Sequence, residues 1–337
     1  MPTVASANTT SLRGDDSRMT PIVSVILPAY NAAETVPRAL DSLLVQSLQS
    51  FEVLVVDDAS ADATAETVGG YARIDPRVVL IRCQQNAGAA AARNVGFAHA
   101  KGRWVALLDA DDAYMPERLA ILVEAGEGGE ADIVADNLRF VSHLGEIAQR
   151  PALPAEHPLF RRPLSAATYV QGNLFLNRGF KLGYLKPMFR KRFLERHGLR
   201  QNETLRIAED YHFCLDALLC GARFLALPEA GYLYTERPGS LSRSLTLEDL
   251  RQLSTANRLD LLRATPQGAA DLRAALNKRQ ISVDLNVKFV QFIEAVKGRR
   301  VGDAGAIFAS NPDLTPYLAF YGLQSLRKRL PGGNRIV

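Results

Sequence analysis

The chain has 337 residues, of which 47% are hydrophobic and 23% charged, a globular composition that excludes global disorder. Its length suits one large domain, or one domain with an extension. The net charge of +4 hides an asymmetry, because residues 1–150 hold 12 Lys and Arg against 20 Asp and Glu, whereas residues 151–337 hold 28 against 16. With aromatic residues at 7% and no nucleic-acid-binding motif, we expect no nucleic-acid partner.

The cysteines and the amino-terminal stretch indicate a cytoplasmic chain. Cys83, Cys214 and Cys220 are too few for a disulfide framework and form no CxxC pair, as in proteins of a reducing cytosol. Residues 1–20 are polar and aperiodic, so we expect a disordered lead there rather than a secretory signal. No stretch approaches the ~18 apolar residues of a membrane helix, so we expect a chain that is soluble or peripherally attached.

From residue 21 onward, short apolar runs alternate with helix-like segments. The runs are rich in leucine and β-branched residues, as buried parallel strands are, and they cover residues 23–27, 51–56, 78–83 and 104–108. Helical patterns follow them at residues 33–44, 62–71, 88–100 and 116–125. This alternation predicts an α/β fold with a Rossmann-like, doubly wound, mostly parallel sheet.

The second half of the chain has a more mixed pattern. Residues 132–141 predict a further strand, whereas residues 151–163 contain four prolines and predict a loop. Further helices are predicted at residues 205–221, 247–262, 269–283 and 288–296. We therefore expect a helical, basic carboxyl-terminal extension over residues 244–337, with a frayed tail from residue 323.

Polar side chains follow each of the four predicted strands, at the sheet edge where parallel α/β proteins bind ligands. In chain order, these ends carry Pro28, Tyr30 and Asn31, then Asp57 and Asp58, then Gly88 and Arg93, and finally Asp109, Ala110, Asp111 and Asp112. A single acid after a strand is often a turn or a helix cap. Polar residues at all four ends together predict a binding site.

The most specific of these groups is Asp109-Ala110-Asp111. Two carboxylates that flank a small residue at a strand end can share a divalent cation such as Mg²⁺ or Mn²⁺, which would neutralise a departing diphosphate. The alternative is a turn and an N-cap for the following helix, which suits Asp112 better than its neighbours.

For two other groups, a purely structural role fits the sequence about as well as a binding role. Asp57 and Asp58 could accept hydrogen bonds from an imide N–H or a ribose hydroxyl, or could cap the helix predicted from residue 62. Arg93 lies on an alanine-rich helix, where it could contact phosphate or form a buried ion pair.

Four stretches resemble the inverting family 2 glycosyltransferases of the GT-A fold. They are VSVILPAYNAAETVPRALDSLLVQS, FEVLVVDDASADAT, NAGAAAARNVGFAHAKGRWVALLDADDAYMPERL and AEDYHF. The resemblance covers residues 22–136 closely and residues 205–242 more loosely. GYLKPMFRKRFLE at residues 183–195 and RPGSLSR at residues 237–243 further resemble transferases of succinoglycan-type exopolysaccharide assembly.

The resemblance implies a UDP-sugar donor and a divalent metal cofactor. Asp58 would hold the uracil ring, and Asp111 would bind Mg²⁺ or Mn²⁺ directly with Asp109 beside it. The full set of expected donor-binding residues is Pro28, Tyr30, Asn31, Asp57, Asp58, Arg93, Asp109, Ala110 and Asp111.

The resemblance also implies that Asp210 is the general base and that Glu209 is its neighbour. An inverting transfer needs a carboxylate that takes the proton of the acceptor hydroxyl as this attacks the anomeric carbon. A position at the start of a helix keeps such a carboxylate ionised. The alternative is an ordinary acid pair in the first turn of a helix.

Three features of the second half have open interpretations. Ser240, Ser242 and Arg243 lie in a segment bounded by Gly and Pro, which could close over the diphosphate as a lid or be a solvated loop. Residues 178–206 hold nine Lys and Arg against two Glu, a run that could face anionic lipid headgroups, a polyprenyl diphosphate-linked acceptor, or only solvent. We expect His212 to lie on a helix surface.

These inferences together predict a metal-dependent hexosyltransferase. Its GT-A domain would span residues 21–243, with a nucleotide-sugar-binding half over residues 21–136 and an acceptor half over residues 137–243. The expected donor is UDP-glucose, and the expected acceptor is a lipid-linked saccharide at the cytoplasmic face of the inner membrane, which the chain would contact peripherally. The alternatives are a non-catalytic nucleotide- or saccharide-binding protein of the same fold and a sugar nucleotidyltransferase, although the glycine-rich basic loop of the latter is missing after the first strand.

Overall fold

The computed structural model describes residues 20–142, 145–174, 179–236, 246–264, 270–315 and 318. Strands β1 to β8 comprise Val23–Ala29, Phe51–Asp57, Val78–Arg82, Trp104–Leu107, Ala113–Tyr114, Ile133–Val141, Met188–Arg190 and Phe224–Thr235. Helices α1 to α10 comprise Val36–Leu44, Thr64–Ile74, Ala89–His99, Arg118–Gly128, Ala166–Gln171, Lys191–His197, Glu209–Leu219, Leu247–Ala264, Ala270–Lys297 and Val301–Ser310.

The strands form one sheet in the order β3-β2-β1-β4-β7-β6-β8-β5. Strands β1 to β4 are parallel, and β6 is parallel to β8. β7 runs antiparallel to β4 and β6, and β5 runs antiparallel to β8. The chain adds β2 and β3 on one side of β1 and β4 on the other, so the carboxyl ends of β1 and β4 flank a topological switch point.

A hydrophobic core covers each face of this sheet. Val25 and Leu27 of β1 pack in the core that includes α1, whereas Ile26, between them, packs in the core that contains Phe213 and Leu215 of α7. Successive residues of a strand point to opposite faces, so the continuous apolar runs are buried on both sides. The predicted doubly wound α/β arrangement is confirmed.

The separate helices predicted at residues 269–283 and 288–296 are wrong, because α9 is continuous across both. No Gly or Pro interrupts residues 270–297, and Asp284, which lies between the two predicted helices, contacts Ser254 of α8. Asp284 Oδ1 accepts hydrogen bonds from the Ser254 hydroxyl at 2.6 Å and from Gln280 Nε2 at 2.9 Å. The predicted helix at residues 205–221 also begins later, at Glu209.

The long strand β8 was not predicted from the sequence. Pro228 and Gly231 interrupt its apolar pattern, and both residue types argue against a strand interior. The pairing of β8 with β6 tolerates them through a shift in register beside Asp136 and Asn137. The third predicted strand is an edge strand, in which Val79 is exposed.

The proposed division of the chain is compatible with these elements but stays a prediction. Helices α8 to α10 lie within the expected carboxyl-terminal extension, and the described helices include none with the length and apolar character needed to cross a bilayer. The expected disordered lead falls almost entirely outside the described residues. The three residues of the expected lid also lie outside them, namely Ser240, Ser242 and Arg243.

A buried ion pair connects α4 with β6. Arg118 Nη2 lies 2.7 Å from Asp136 Oδ1, and these side chains are 0% and 2% exposed. The guanidinium also lies over the rings of Tyr114 and Tyr232, 4.1 and 5.0 Å from their centroids. Arg118 Nη2 further donates to the carbonyl of Lys186 at 2.7 Å. This pair therefore ties the segment before β7 to the sheet.

Replacing Asp136 by Asn leaves the Arg118 guanidinium buried without a carboxylate partner. We expect a loss of about 3–5 kcal/mol in the free energy of unfolding, measured by urea denaturation. Lys191→Met is the matched control, because the partner of Lys191 is Glu195 at 3.2 Å on an exposed helix surface, and we expect a change below about 1 kcal/mol. Equal losses in the two variants would contradict the importance of the buried pair.

Candidate functional site

A cleft of about 1460 Å³ opens at the carboxyl ends of β1, β2 and β4. The loops that follow these strands and the first turns of α3 and α7 form much of its wall. The predicted site residues that line it are Pro28, Tyr30, Asn31, Asp58, Arg93, Asp109, Ala110, Asp111, Glu209 and Asp210. The fold thus gathers residues from separate parts of the sequence, as the parallel-strand argument predicts.

Asp58 holds the loop that precedes α3. Its carboxylate accepts hydrogen bonds from the backbone N–H groups of Ala87 at 3.0 Å and Gly88 at 2.8 Å. Gly88 has a φ of 90°, a conformation that glycine adopts without strain. The helix-cap alternative for this acid is not observed, because the N-cap of α2 is Ala63.

Asp57 lies below the cleft rather than on its wall. Its carboxylate is fully buried, accepts a hydrogen bond from the Ser60 N–H at 3.0 Å and lies 3.4 Å from Arg82 Nε. Asp57 is the last residue of β2, and adjacent residues of an extended chain point to opposite sides, so Asp58 faces the cleft and Asp57 does not. Its expected place in the donor-binding wall is therefore not observed.

Arg93 lies at the centre of a buried group of charges. Its side chain is 4% exposed, and its nitrogens lie 2.7 Å from Asp109, 2.9 Å from Glu209 and 3.1 Å from Asp210. Helix α3 reaches this depth because Gly96 packs directly on β1, where a Cβ would come within 2.5 Å of a side chain. Of the two alternatives for Arg93, the described residues show the buried ion pair.

Lys186 completes this group, and sequence reasoning did not identify it. Its Nζ lies 2.7 Å from Asp109 Oδ2 and 2.6 Å from Asp210 Oδ2, and its side chain is 8% exposed. Nothing in the basic run distinguishes Lys186 from neighbouring cations, except that apolar residues and a proline flank it. We call the five residues the charge centre, namely Arg93, Asp109, Lys186, Glu209 and Asp210.

The cations of the charge centre act differently on its acids. Burial by itself raises the pKa of Asp109 and Asp210, but Arg93 and Lys186 outweigh it and hold both pKa values below the ordinary range. For Glu209, burial and the neighbouring Asp210 charge dominate, so its pKa is raised despite its contact with Arg93. Asp210 is therefore the member of the acid pair that stays ionised most readily.

The two acids that follow Asp109 occupy different environments. Asp111 lines the cleft, whereas Asp112 is buried, and its carboxylate accepts hydrogen bonds from the Tyr232 hydroxyl at 2.6 Å and the Thr235 N–H at 2.7 Å. Burial and the charges of its two acidic neighbours raise the pKa of Asp112 to about 8. Asp112 joins this loop to β8, and neither it nor Asp111 caps α4.

Asp111 is the acid that best fits a divalent cation. Both oxygens of Asp109 already contact Arg93 or Lys186, so a metal ion on Asp109 would have to displace a cation. Within the described ranges, no three His, Cys, Asp or Glu side chains form a group that could hold a metal ion by themselves. Mg²⁺ is commonly held by one or two carboxylates together with substrate phosphates, so the single carboxylate of Asp111 in the cleft fits this chemistry.

Helices α8 and α9 pack against α7 and contribute to the cleft wall. The Arg279 guanidinium lies over the Tyr211 ring, 3.6 Å from its centroid. His212 Nδ1 lies 2.9 Å from Asp260 Oδ2, and both side chains are buried. The expectation that His212 lies on a helix surface is therefore wrong. The physical reason is that α8, which is distant in sequence, covers the second face of α7.

The basic run at residues 178–206 is divided between two regions of the fold. Lys181 and Lys186 line the cleft. Arg190 and Lys191 lie at the opposite end of β4, beside its first residue. The run therefore does not form a single basic face.

Sequence comparison relates this chain to one family. Residues 24–193 match the profile described as glycosyl transferase family 2. The chain is 37% identical over 309 residues to the succinoglycan biosynthesis protein ExoO of Rhizobium meliloti (strain 1021), covering 91% of this chain and 87% of that protein. It is 33% identical over 297 residues to the succinoglycan biosynthesis protein ExoU of the same organism, covering 87% and 84%.

Solved structures share the fold. S. aureus TarS 1–349 in complex with UDP matches with a TM-score of 0.57 and 24% identity, over 76% of this chain and 71% of that one. The mannosyltransferase PcManGT from Pyrobaculum calidifontis, in complex with GDP-Man and Mn²⁺, matches with a TM-score of 0.58 and 20% identity, over 94% and 83%. The architecture is that of the GT-A glycosyltransferases, as predicted.

Replacing Arg93 by Met removes the cation shared by three buried carboxylates. We expect a loss of about 3–5 kcal/mol in the free energy of unfolding at pH 7. In the variant, Glu209 loses its ion-pair partner while burial and the Asp210 charge remain, so its raised folded-state pKa rises further, whereas Asp109 and Asp210 keep only Lys186. The cost of burying the ionised acids grows as pH rises above about 4. The loss in the free energy of unfolding should therefore be smaller at pH 4.5 than at pH 7.

Urea denaturation at the two pH values measures this difference. Arg77→Met is the control, because Arg77 pairs with Asp75 near the surface, at 2.7 Å, and touches no buried acid. A loss in Arg93→Met that is the same at both pH values would contradict the role of Arg93 in compensating buried charge.

Proposed function

The chain belongs to glycosyltransferase family 2, and we propose that it transfers a hexose from a UDP-sugar to a growing oligosaccharide in exopolysaccharide biosynthesis. The proposed donor is UDP-glucose, and the proposed acceptor is linked to a polyprenyl diphosphate. One observation carries the proposal, which is the charge centre. There, the acid that follows β4 and the acid pair that opens α7 meet across one cleft through shared cations.

The names of related proteins and the ligands bound in solved structures of the same fold support this choice of substrates. The relatives ExoO and ExoU carry the name of succinoglycan biosynthesis. TarS structures hold UDP or UDP-GlcNAc in the same fold. Transfer of a sugar also accounts for the acid pair, whereas a non-catalytic binding protein would not need a general base.

The uracil ring is proposed to lie against Tyr30, with Asp58 accepting a hydrogen bond from the imide N–H. Tyr30 is 53% exposed at the cleft wall, so its ring is available for stacking. Each oxygen of Asp58 already accepts one backbone N–H, and a carboxylate has about four lone-pair sites in total. The acid can therefore hold its loop and a base at the same time.

Asp111 is the proposed direct ligand of Mg²⁺ or Mn²⁺, together with oxygens of the donor diphosphate. When bound, the ion supplies positive charge that stabilises the departing diphosphate. Asp109 keeps its contacts with the two buried cations and orients the loop that carries Asp111. The presence of Mn²⁺ in PcManGT, which shares the fold, supports a divalent cofactor.

Asp210 is the proposed general base. The acceptor hydroxyl attacks the anomeric carbon from the face opposite the diphosphate, its proton passes to the Asp210 carboxylate, and the bond from the anomeric carbon to the diphosphate oxygen breaks. Gln201 Nε2 donates to Asp210 Oδ1 at 3.0 Å, the same oxygen that Arg93 contacts. No protein nucleophile is required, so the configuration inverts in one step.

The cytoplasmic face of the inner membrane is the proposed site of action. Helix α8 exposes Leu259, Leu262 and Arg258, with exposed fractions of 48%, 68% and 67%. Their spacing places them on one side of the helix. Apolar and basic side chains together suit peripheral contact with an anionic lipid surface, where a lipid-linked acceptor would be found.

Asp210→Asn should lower the rate of UDP release by at least about 100-fold, because the acceptor proton loses its base. UDP binding should stay within about threefold, since the donor side is unchanged. The assay is UDP release from UDP-glucose or UDP-galactose with Mn²⁺ or Mg²⁺ and a membrane lipid extract. Asp216→Asn is the matched control on the same helix, where Asp216 pairs with Arg263 at 2.8 Å.

Near-normal turnover of Asp210→Asn would contradict the base assignment alone. A wild-type chain that binds UDP but releases none from any UDP-sugar would overturn the proposed transfer.

Asp111→Ala should weaken UDP binding about tenfold in the presence of Mn²⁺ and leave it unchanged in EDTA, because the lost carboxylate acts through the metal. Isothermal titration of UDP measures both conditions. Asp303→Ala, at a site where the side chain is 67% exposed on α10, should bind UDP as the wild type does. Equal weakening of Asp111→Ala with and without metal would contradict the assignment of the ligand.

A further inference from the structure

Lys186 and Arg93 hold opposite oxygens of the same two acids. Arg93 contacts Oδ1 of Asp109 and Oδ1 of Asp210, whereas Lys186 contacts Oδ2 of each. One ammonium group therefore bridges the acid of the donor side, after β4, and the proposed base at the start of α7. With both oxygens of Asp210 held, rotation of its carboxylate is restricted from two sides.

The main chain at Lys186 is itself held from the sheet. Its carbonyl accepts a hydrogen bond from Arg118 Nη2 at 2.7 Å. Arg118 is fixed by the buried Asp136 carboxylate, whose two oxygens lie 3.0 Å from its Nε. The long, flexible side chain of Lys186 therefore extends from a main-chain position that is held rigidly. The ammonium group that contacts Asp109 and Asp210 is thus anchored through its main chain to the sheet.

We propose that Lys186 is a positioning residue for the transfer step, which holds the Asp210 carboxylate at a set place relative to Asp109 and hence to the donor diphosphate. The inference rests on the proposed function, because it requires Asp210 to take the acceptor proton. Displacement of a reacting group by about 1 Å can lower a rate about 100-fold. Without Lys186, the cation at each acid contacts Oδ1 only, and Gln201 adds a second contact to the same oxygen of Asp210, so Oδ2 of both acids loses its cationic partner.

Lys186→Met tests this role, because it keeps an unbranched side chain that is shorter by one heavy atom and removes the ammonium. We expect UDP release from UDP-glucose with Mn²⁺ and water as the acceptor to fall at least about 100-fold, while the Kd for UDP stays within about threefold. Lys191→Met makes the same change five residues along, at a surface pair with Glu195, and should match the wild type. Circular dichroism and the Tm establish that each variant folds.

A rescue experiment separates positioning from a general loss of packing. Lys186→Ala removes the whole side chain, and ethylammonium chloride added to this variant can place an ammonium group between the two acids. We expect UDP release to recover at least about tenfold with ethylammonium and not with tetramethylammonium, which has no N–H donor. If Lys186→Met fails to fold, this comparison in Lys186→Ala decides the proposal.

The outcomes distinguish this inference from the proposed function. A wild-type chain that releases no UDP from any UDP-sugar, with either water or a membrane lipid extract as the acceptor, would overturn the transfer function and the role of Lys186 with it. An active wild type with an equally active Lys186→Met variant would overturn the role of Lys186 alone. Parallel losses of UDP binding and UDP release, with no rescue by ethylammonium, would show that Lys186 serves folding or donor binding instead.

Discussion

The burial of several carboxylates in one cleft is the constraint on which the rest of this structure depends. An ionised acid taken out of water costs several kcal/mol unless a cation compensates it. Arg93 and Lys186 supply that compensation for Asp109, Glu209 and Asp210, and these five groups come from four segments of the chain. The parallel strands, α3, α7 and the segment before β7 must therefore be in place together before all of these charges are compensated.

The sheet meets this requirement through its strand order. β4 lies beside β1 on one side and beside β7 on the other, so the acid that follows β4 lies close both to α3 and to the segment that carries Lys186. The buried pair of Arg118 and Asp136 extends this support, because it fixes the main chain at Lys186 from below. Rigid elements thus hold the proposed catalytic groups, and the surrounding loops form part of the cleft wall.

The unequal charge of the two halves of the chain has a local counterpart in the cleft. Asp109 belongs to the acidic first half and pairs with Lys186 from the basic second half. Arg93, a cation of the first half, pairs with Glu209 and Asp210 of the second. These ion pairs between the two halves connect the proposed donor side to the proposed acceptor side. The net charge of +4 does not indicate this arrangement.

The sequence by itself determined the parallel strands β1 to β4 and the cleft residues that follow them, because buried strands have continuous apolar runs and their carboxyl ends share one edge. It did not determine which of the adjacent acids Asp57 and Asp58 faces the cleft, since that depends on where β2 ends. Tertiary structure alone selected Lys186 from a run of similar cations and buried His212 beneath α8. Both depend on contacts between segments far apart in the chain, which local periodicity and spacing do not record.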